Sequence, residues 1–136
     1  AEASLQALMD LWALPKEDFS WATGGYLGAI MSGQATCGLL IGSSIAISFR
    51  VGKGLSGIPE EHERQRNRAI QAVNELYLSV IKKFGSSDCY ELNQIDFTNP
   101  QKVAEWTMKE GWKKTCDIYL DFVLKKCLQM AEQGKI

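Results

Sequence analysis

The stretch Thr36-Cys37-Gly38-Leu39-Leu40-Ile41-Gly42-Ser43-Ser44-Ile45-Ala46-Ile47-Ser48-Phe49-Arg50 decides the fold. It is the least polar part of the chain, and a helix built on it would show apolar side chains on nearly every face. Such a helix needs neighbours all round, so residues 37–50 are expected to form a buried central helix. A strand over Ile45 to Phe49 is the competing reading, because β-branched residues cluster there. Gly38 and Gly42 are four apart, hence on one face, where they would let another backbone come close. The run from Leu39 to Phe49 is broken by Gly42, Ser43, Ser44 and Ser48 and is too short to span a bilayer.

Working outward, the segment before this helix holds Gly24, Gly25, Gly28 and Gly33. It is too apolar for a loose linker and reads as an ordered, partly buried loop with one helical turn. Further upstream, Leu5, Leu8, Met9, Leu11 and Trp12 suit one helical face that ends at Pro15. Pro15 also suits the start of a short helix carrying Phe19, Trp21 and Ala22. Downstream, Gly52 to Pro59 reads as a flexible joint. Pro59-Glu60-Glu61 then opens a long helix, with acid near its positive end. Its apolar stripe is Ile70, Val73, Leu76, Tyr77, Val80, Ile81 and Phe84, and Gly85 is its C-cap. Glu61 to Arg68 is charged or polar and should face solvent. Residues 85–100 read as a loop containing Cys89, followed by a short helix at 101–109. A last helix at about 112–133 puts Trp112, Cys116, Tyr119, Val123, Cys127 and Met130 on one face.

The fold class is therefore all-α, with five to six helices around the central one and residues 1–136 as a single domain. A chain of 136 residues can bury a core without disulfides. Its net charge of −1 creates no field that would gather nucleic acid or an anionic membrane. The alternation of Arg64, Arg66 and Arg68 with Glu61 and Glu63 reads as a solvated face. No secretion signal is apparent, so a cytoplasmic location with reduced thiols is expected.

The single histidine, His62, lies on that charged face, which leaves little room for a hydrolase that needs an imidazole base. The glycines near residue 24 end in no Gly-Lys-Ser/Thr phosphate loop and follow no clear strand. The cysteines at 37, 89, 116 and 127 form no Cys-x-x-Cys pair. With Thr36 as N-cap, Cys37 would stand in the first turn of its helix, where free amides and the dipole favour a thiolate. Cys89, in a loop, could converge on it together with Cys116. Cys127 lies roughly 16 Å along the axis from Cys116 at 1.5 Å per residue, too far to share a small cluster, and reads as a buried thiol.

The runs Ala22-Thr23-Gly24-Gly25-Tyr26-Leu27-Gly28 and Thr36-Cys37-Gly38-Leu39-Leu40-Ile41-Gly42 resemble the small prokaryotic redox-active proteins named for a C_GCAxxG_C_C cysteine pattern. Phe84 to Leu92 is similar to that family's third-cysteine segment, and Cys116 stands where the fourth is expected. The resemblance implies Cys37, Cys89 and Cys116 as metal or cluster ligands, with Gly24, Gly25 and Gly38 giving close approach to a cofactor. Members carry a first cysteine followed by something like Ala-Glu-Ala, and this chain begins Ala1-Glu2-Ala3-Ser4. That cysteine would fall just before residue 1, with Ser4 a poorer match. The domain also resembles the cluster-bearing part of split-Soret cytochrome c, which implies a cysteine-held [2Fe–2S] cluster, here one ligand short and so absent unless another group completes it. Electron transfer with a redox partner protein follows, in a chain that could self-associate. A thiol–disulfide protein in which Cys37 attacks and Cys89 or Cys116 resolves is the second reading. A non-catalytic helical module with buried cysteines is the third.

Overall fold

The computed structural model describes residues 1–15, 21–52 and 58–136. Among these it holds eight helices: α1 (Glu2–Leu11), α2 (Tyr26–Met31), α3 (Gly38–Val51), α4 (Pro59–Phe84), α5 (Cys89–Asn93), α6 (Pro100–Met108), α7 (Gly111–Lys114) and α8 (Cys116–Glu132). The helical reading of residues 37–50 holds, and no strand forms at Ile45 to Phe49. The short helix expected around Phe19 lies mostly outside the described residues, as does most of the Gly52–Pro59 joint.

Helix α3 is central, touching α1, α4 and α8. Its Leu40, Ala46 and Ile47 are fully buried, in one core with Leu5 and Leu8 of α1, Leu76 of α4 and Val123 and Met130 of α8. Serines fit this apolar helix because their hydroxyls are satisfied within it. Ser43 donates to the Leu39 carbonyl at 2.8 Å and Ser44 to that of Leu40 at 2.7 Å.

Gly38 and Gly42 do what their spacing suggested. A Cβ on Gly38 would stand 2.8 Å from the Ala1 nitrogen, and one on Gly42 would collide with the Ala1 carbonyl oxygen. The start of α1 thus lies directly on the glycine face of α3. Ser4, fully buried, ties the two helices by donating to the Leu39 carbonyl at 2.8 Å.

Three expectations are corrected. The α4 stripe is narrower than expected: Leu76 and Val80 are buried with Ala72, and Val73, Tyr77 and Phe84 pack against the core, while Ile70 and Ile81 face outward. The first helix ends at Leu11, before Pro15, with Ala13 in the left-handed region at φ 50°. The last helix is two pieces, because Thr115 takes φ −130° with ψ −78°. That break makes Cys116 the first residue of α8, and Trp112 leaves the stripe to meet the Trp106 ring edge-on at 6.1 Å. Pro59 at the α4 start and Gly85 at its end, with φ 89°, stand as read. Among the described residues no helix is long and apolar enough to cross a membrane.

Candidate functional site

The site begins with a backbone pairing that no single segment contains. Thr36 and Asp88 form an isolated antiparallel bridge. The Cys37 amide donates to the Ser87 carbonyl at 2.7 Å, and the Cys89 amide to the Ala35 carbonyl at 2.8 Å. Two cysteines 52 residues apart in sequence are thereby fixed on facing strips of backbone at the starts of α3 and α5.

Cys37 is itself the N-cap of α3, with φ −53° and ψ 125°; the cap expected at Thr36 is one residue early. Thr36 is instead extended in the bridge, and its carbonyl accepts from the Tyr26 hydroxyl at 2.8 Å. Helix α5 forms where a loop was expected, because Asp88 caps it by accepting from the Glu91 amide at 3.0 Å. This turn places Cys89 and Asn93 on one face, four residues apart.

Asn93 is buried and links two of the cysteines. Its Nδ2 donates to the Cys89 carbonyl at 2.9 Å and to Cys89 Sγ at 3.5 Å. Its Oδ1 accepts from Cys116 Sγ at 3.3 Å. The Cys89 carbonyl can only accept, so it fixes which end of the amide faces which sulfur. A second tether runs beside the first: the Tyr119 hydroxyl donates to the Leu92 carbonyl at 2.6 Å, and Tyr119 is one turn from Cys116 on α8.

Electrostatics joins the third cysteine to this pair. Burial is the main cause that raises the Cys37 thiol above its ordinary value, and a negative charge on Cys116 would raise it further. The Leu39 and Leu40 amides at the α3 start pull the other way without overcoming burial. The favoured thiolate expected at Cys37 is therefore not met: at 4% exposure, desolvation outweighs the helix amides. Burial pushes Cys89 up to about 12, helped by Cys37 and Cys116 and opposed by the Asn93 amide. Burial likewise raises Cys116, which is only half-buried, against its contact with the Thr115 hydroxyl. All three thiols are raised above their ordinary value, and the charge of Cys116 acts on both Cys37 and Cys89.

Cys127 takes no part. It is fully buried in the core, and burial pushes its thiol up to about 12 against the opposing charge of Lys126.

Of the three glycines assigned to cofactor approach, each sits in a different setting. Gly38 faces Ala1, as described. A Cβ on Gly24 would stand 2.8 Å from the Trp21 ring, and one on Gly25 would meet nothing within 4 Å. Gly24 also lines a cavity of about 210 Å³, together with Ala1, Thr23 and Tyr26.

Three thiols are soft donors of the kind that hold iron, zinc or copper(I). Among the described residues, however, no group of three His, Cys, Asp or Glu side chains stands close enough to hold a metal ion as arranged. Cys127, buried in the core, is not placed to be the fourth thiolate of a [2Fe–2S] cluster. The donor chemistry fits a soft metal; closing around one requires the thiols to lose protons and Asn93 to yield its contacts.

Asn93 went unnoticed in the sequence, and Tyr26 and Tyr119 were given no part in the site. Two of them carried a signal: Asn93 follows Cys89 by four residues and Tyr119 follows Cys116 by three, so each shares a helical face with a cysteine.

Residues 1–130 match the family described as "Putative redox-active protein (C_GCAxxG_C_C)". No curated protein and no solved structure matches the chain.

Proposed function

Because the chain belongs to the C_GCAxxG_C_C family, described as redox-active, we propose that Cys37, Cys89 and Cys116 form its redox site and take up a soft metal ion or an iron–sulfur centre as thiolates. The observation that carries this reading is the joining of three separate elements at these residues. The Thr36–Asp88 bridge brings the starts of α3 and α5 together, and Asn93 joins α5 to the first residue of α8. A bound iron or copper centre would supply an electron-transfer couple, whose counterpart would be a redox partner protein.

The residues around the thiols have distinct tasks. The Leu39 and Leu40 amides offer hydrogen bonds to the Cys37 sulfur, which stabilise its charged form once a cation offsets burial. Tyr26 and Tyr119 hold the backbone beside Cys37 and Asn93. Burial raises both phenols, so they remain neutral donors at physiological pH. A thiol–disulfide exchange reading has less support, because an attacking cysteine needs a thiolate and burial holds Cys37 in its protonated form.

Cobalt(II) reports thiolate ligation by sulfur-to-metal absorption in the near ultraviolet. Anaerobic titration of the reduced protein is expected to saturate at about one equivalent with this absorption, and Cys37→Ala is expected to lose most of it. An unchanged titration in Cys37→Ala would remove this cysteine from the site. Absence of thiolate absorption in the wild type would end the metal reading for this chain.

A further inference from the structure

We infer that the side-chain amide of Asn93 is a spacer that holds Cys89 and Cys116 apart as two separate thiols and blocks a disulfide between them. The inference rests on reading the three cysteines as one redox site and assigns a positioning residue to it. Asn93 is 7% exposed and engages both sulfurs with opposite ends of its amide: Nδ2 lies 3.5 Å from Cys89 Sγ and Oδ1 lies 3.3 Å from Cys116 Sγ. A disulfide needs its sulfurs at about 2.05 Å from each other, whereas here each sulfur is turned to its own end of the amide.

The amide is also held where it is. Its Nδ2 is anchored on the Cys89 carbonyl at 2.9 Å, within its own helix. The adjacent Leu92 carbonyl is tied to α8 by Tyr119, which holds α5 in register with Cys116. A buried amide that satisfies its donor and its acceptor costs little; an apolar residue of similar size would fill the gap but leave both thiols without their contacts. The consequence is chemical. Two neighbouring thiols in one buried pocket would be oxidised together by any disulfide that reaches them, and both would then be lost as ligands.

Oxidised glutathione supplies the test on the metal-free protein. In the reaction that the spacer blocks, one thiolate attacks the glutathione disulfide and releases one glutathione. The second thiolate then attacks the mixed disulfide and releases another. Overall two cysteine S–H bonds are lost, one Cys89–Cys116 S–S bond forms, and the two electrons and two protons leave with two reduced glutathiones. Peptide mapping after alkylation, without reductant, reads the linkage directly.

Wild-type protein is expected to leave Cys89 and Cys116 unlinked. Asn93→Ala is expected to form the Cys89–Cys116 disulfide about tenfold faster or more. Asn93→Ser serves the same purpose if the alanine variant does not fold, because a serine hydroxyl reaches at most one of the sulfurs. Leu92→Ala, buried in the same helix, is the control: it loosens α5 but keeps the amide, and is expected to stay unlinked. The inference is overturned if the wild type closes this disulfide as fast as the variants. It is equally overturned if folded Asn93 variants stay open, or if Leu92→Ala closes it as readily. None of these outcomes depends on metal uptake, so failure of the cobalt titration and failure of the spacer are told apart.

Discussion

Helix α8 carries two cysteines whose surroundings could hardly differ more. Cys116, its first residue, is half-buried, contacts the Thr115 hydroxyl and donates to the Asn93 amide. Cys127, three turns on, is fully buried with Leu40, Leu76 and Met130 in the hydrophobic core. Both thiols are raised by burial, yet of the two it is the charge of Cys116 that acts on other cysteines, Cys37 and Cys89. One residue type on one helix thus serves two ends. What separates them is the company each keeps, set by the break at Thr115 and by the loop that brings α5 alongside.

The contrast is broken most severely by alanine at each position in turn. Cys116→Ala is expected to weaken cobalt(II) binding about a hundredfold or more, with a stability change of only about 0.5 kcal/mol, because its side chain is partly solvated. Cys127→Ala should do the reverse: binding within about threefold of wild type, and a loss of roughly 1–2 kcal/mol from the cavity it leaves in the core. Cobalt titration and urea unfolding of the same two variants read both quantities. Loss of binding in Cys127→Ala without unfolding would bring Cys127 into the site and collapse the distinction.

A smaller effect sharpens the same comparison through pH. The folded state holds the Cys127 proton more tightly than the unfolded chain does, its pKa lying at about 12 against an ordinary 9.0. This contribution to stability is complete below pH 9.0 and is lost as pH rises from there toward about 12. The urea midpoint of the wild type should therefore fall between about pH 8 and about pH 10, and Cys127→Ala should fall less steeply. Equal slopes would show that Cys127 is not held as a buried thiol.

The core was far more legible in the sequence than the site. Residues 37–50 are apolar on so many faces that only a central helix could use them, and Gly38 and Gly42 advertised the close neighbour that proved to be Ala1. Pro59 and Gly85 marked the ends of α4 through fixed backbone preferences. Helix α5 was legible too and was passed over. Asp88 followed three residues later by Glu91 is a helix-start pattern, and it sets Cys89 and Asn93 on one face. The rest had no local signal. The Thr36–Asp88 pairing joins segments distant in sequence, and the break at Thr115 interrupts a stretch whose apolar spacing favours one continuous helix. The narrowing of the α4 stripe has the same origin, because the face that meets α3 and α8 is chosen by packing and leaves Ile70 and Ile81 outside. The expectation of a thiolate at Cys37 erred for a related reason: the helix amides are local and were counted, while burial is a property of the fold.

The central claim is that three cysteines from three elements act as one redox site. It is tested most directly by iron and acid-labile sulfide analysis, with visible spectra, of anaerobically reconstituted wild type and of Cys37→Ala, Cys89→Ala and Cys116→Ala. Thiolate-ligated iron in the wild type, and its loss in each of the three variants while Cys127→Ala retains it, is the expected result. Retention of iron in any of the three single variants, or a colourless, iron-free wild type, would contradict it.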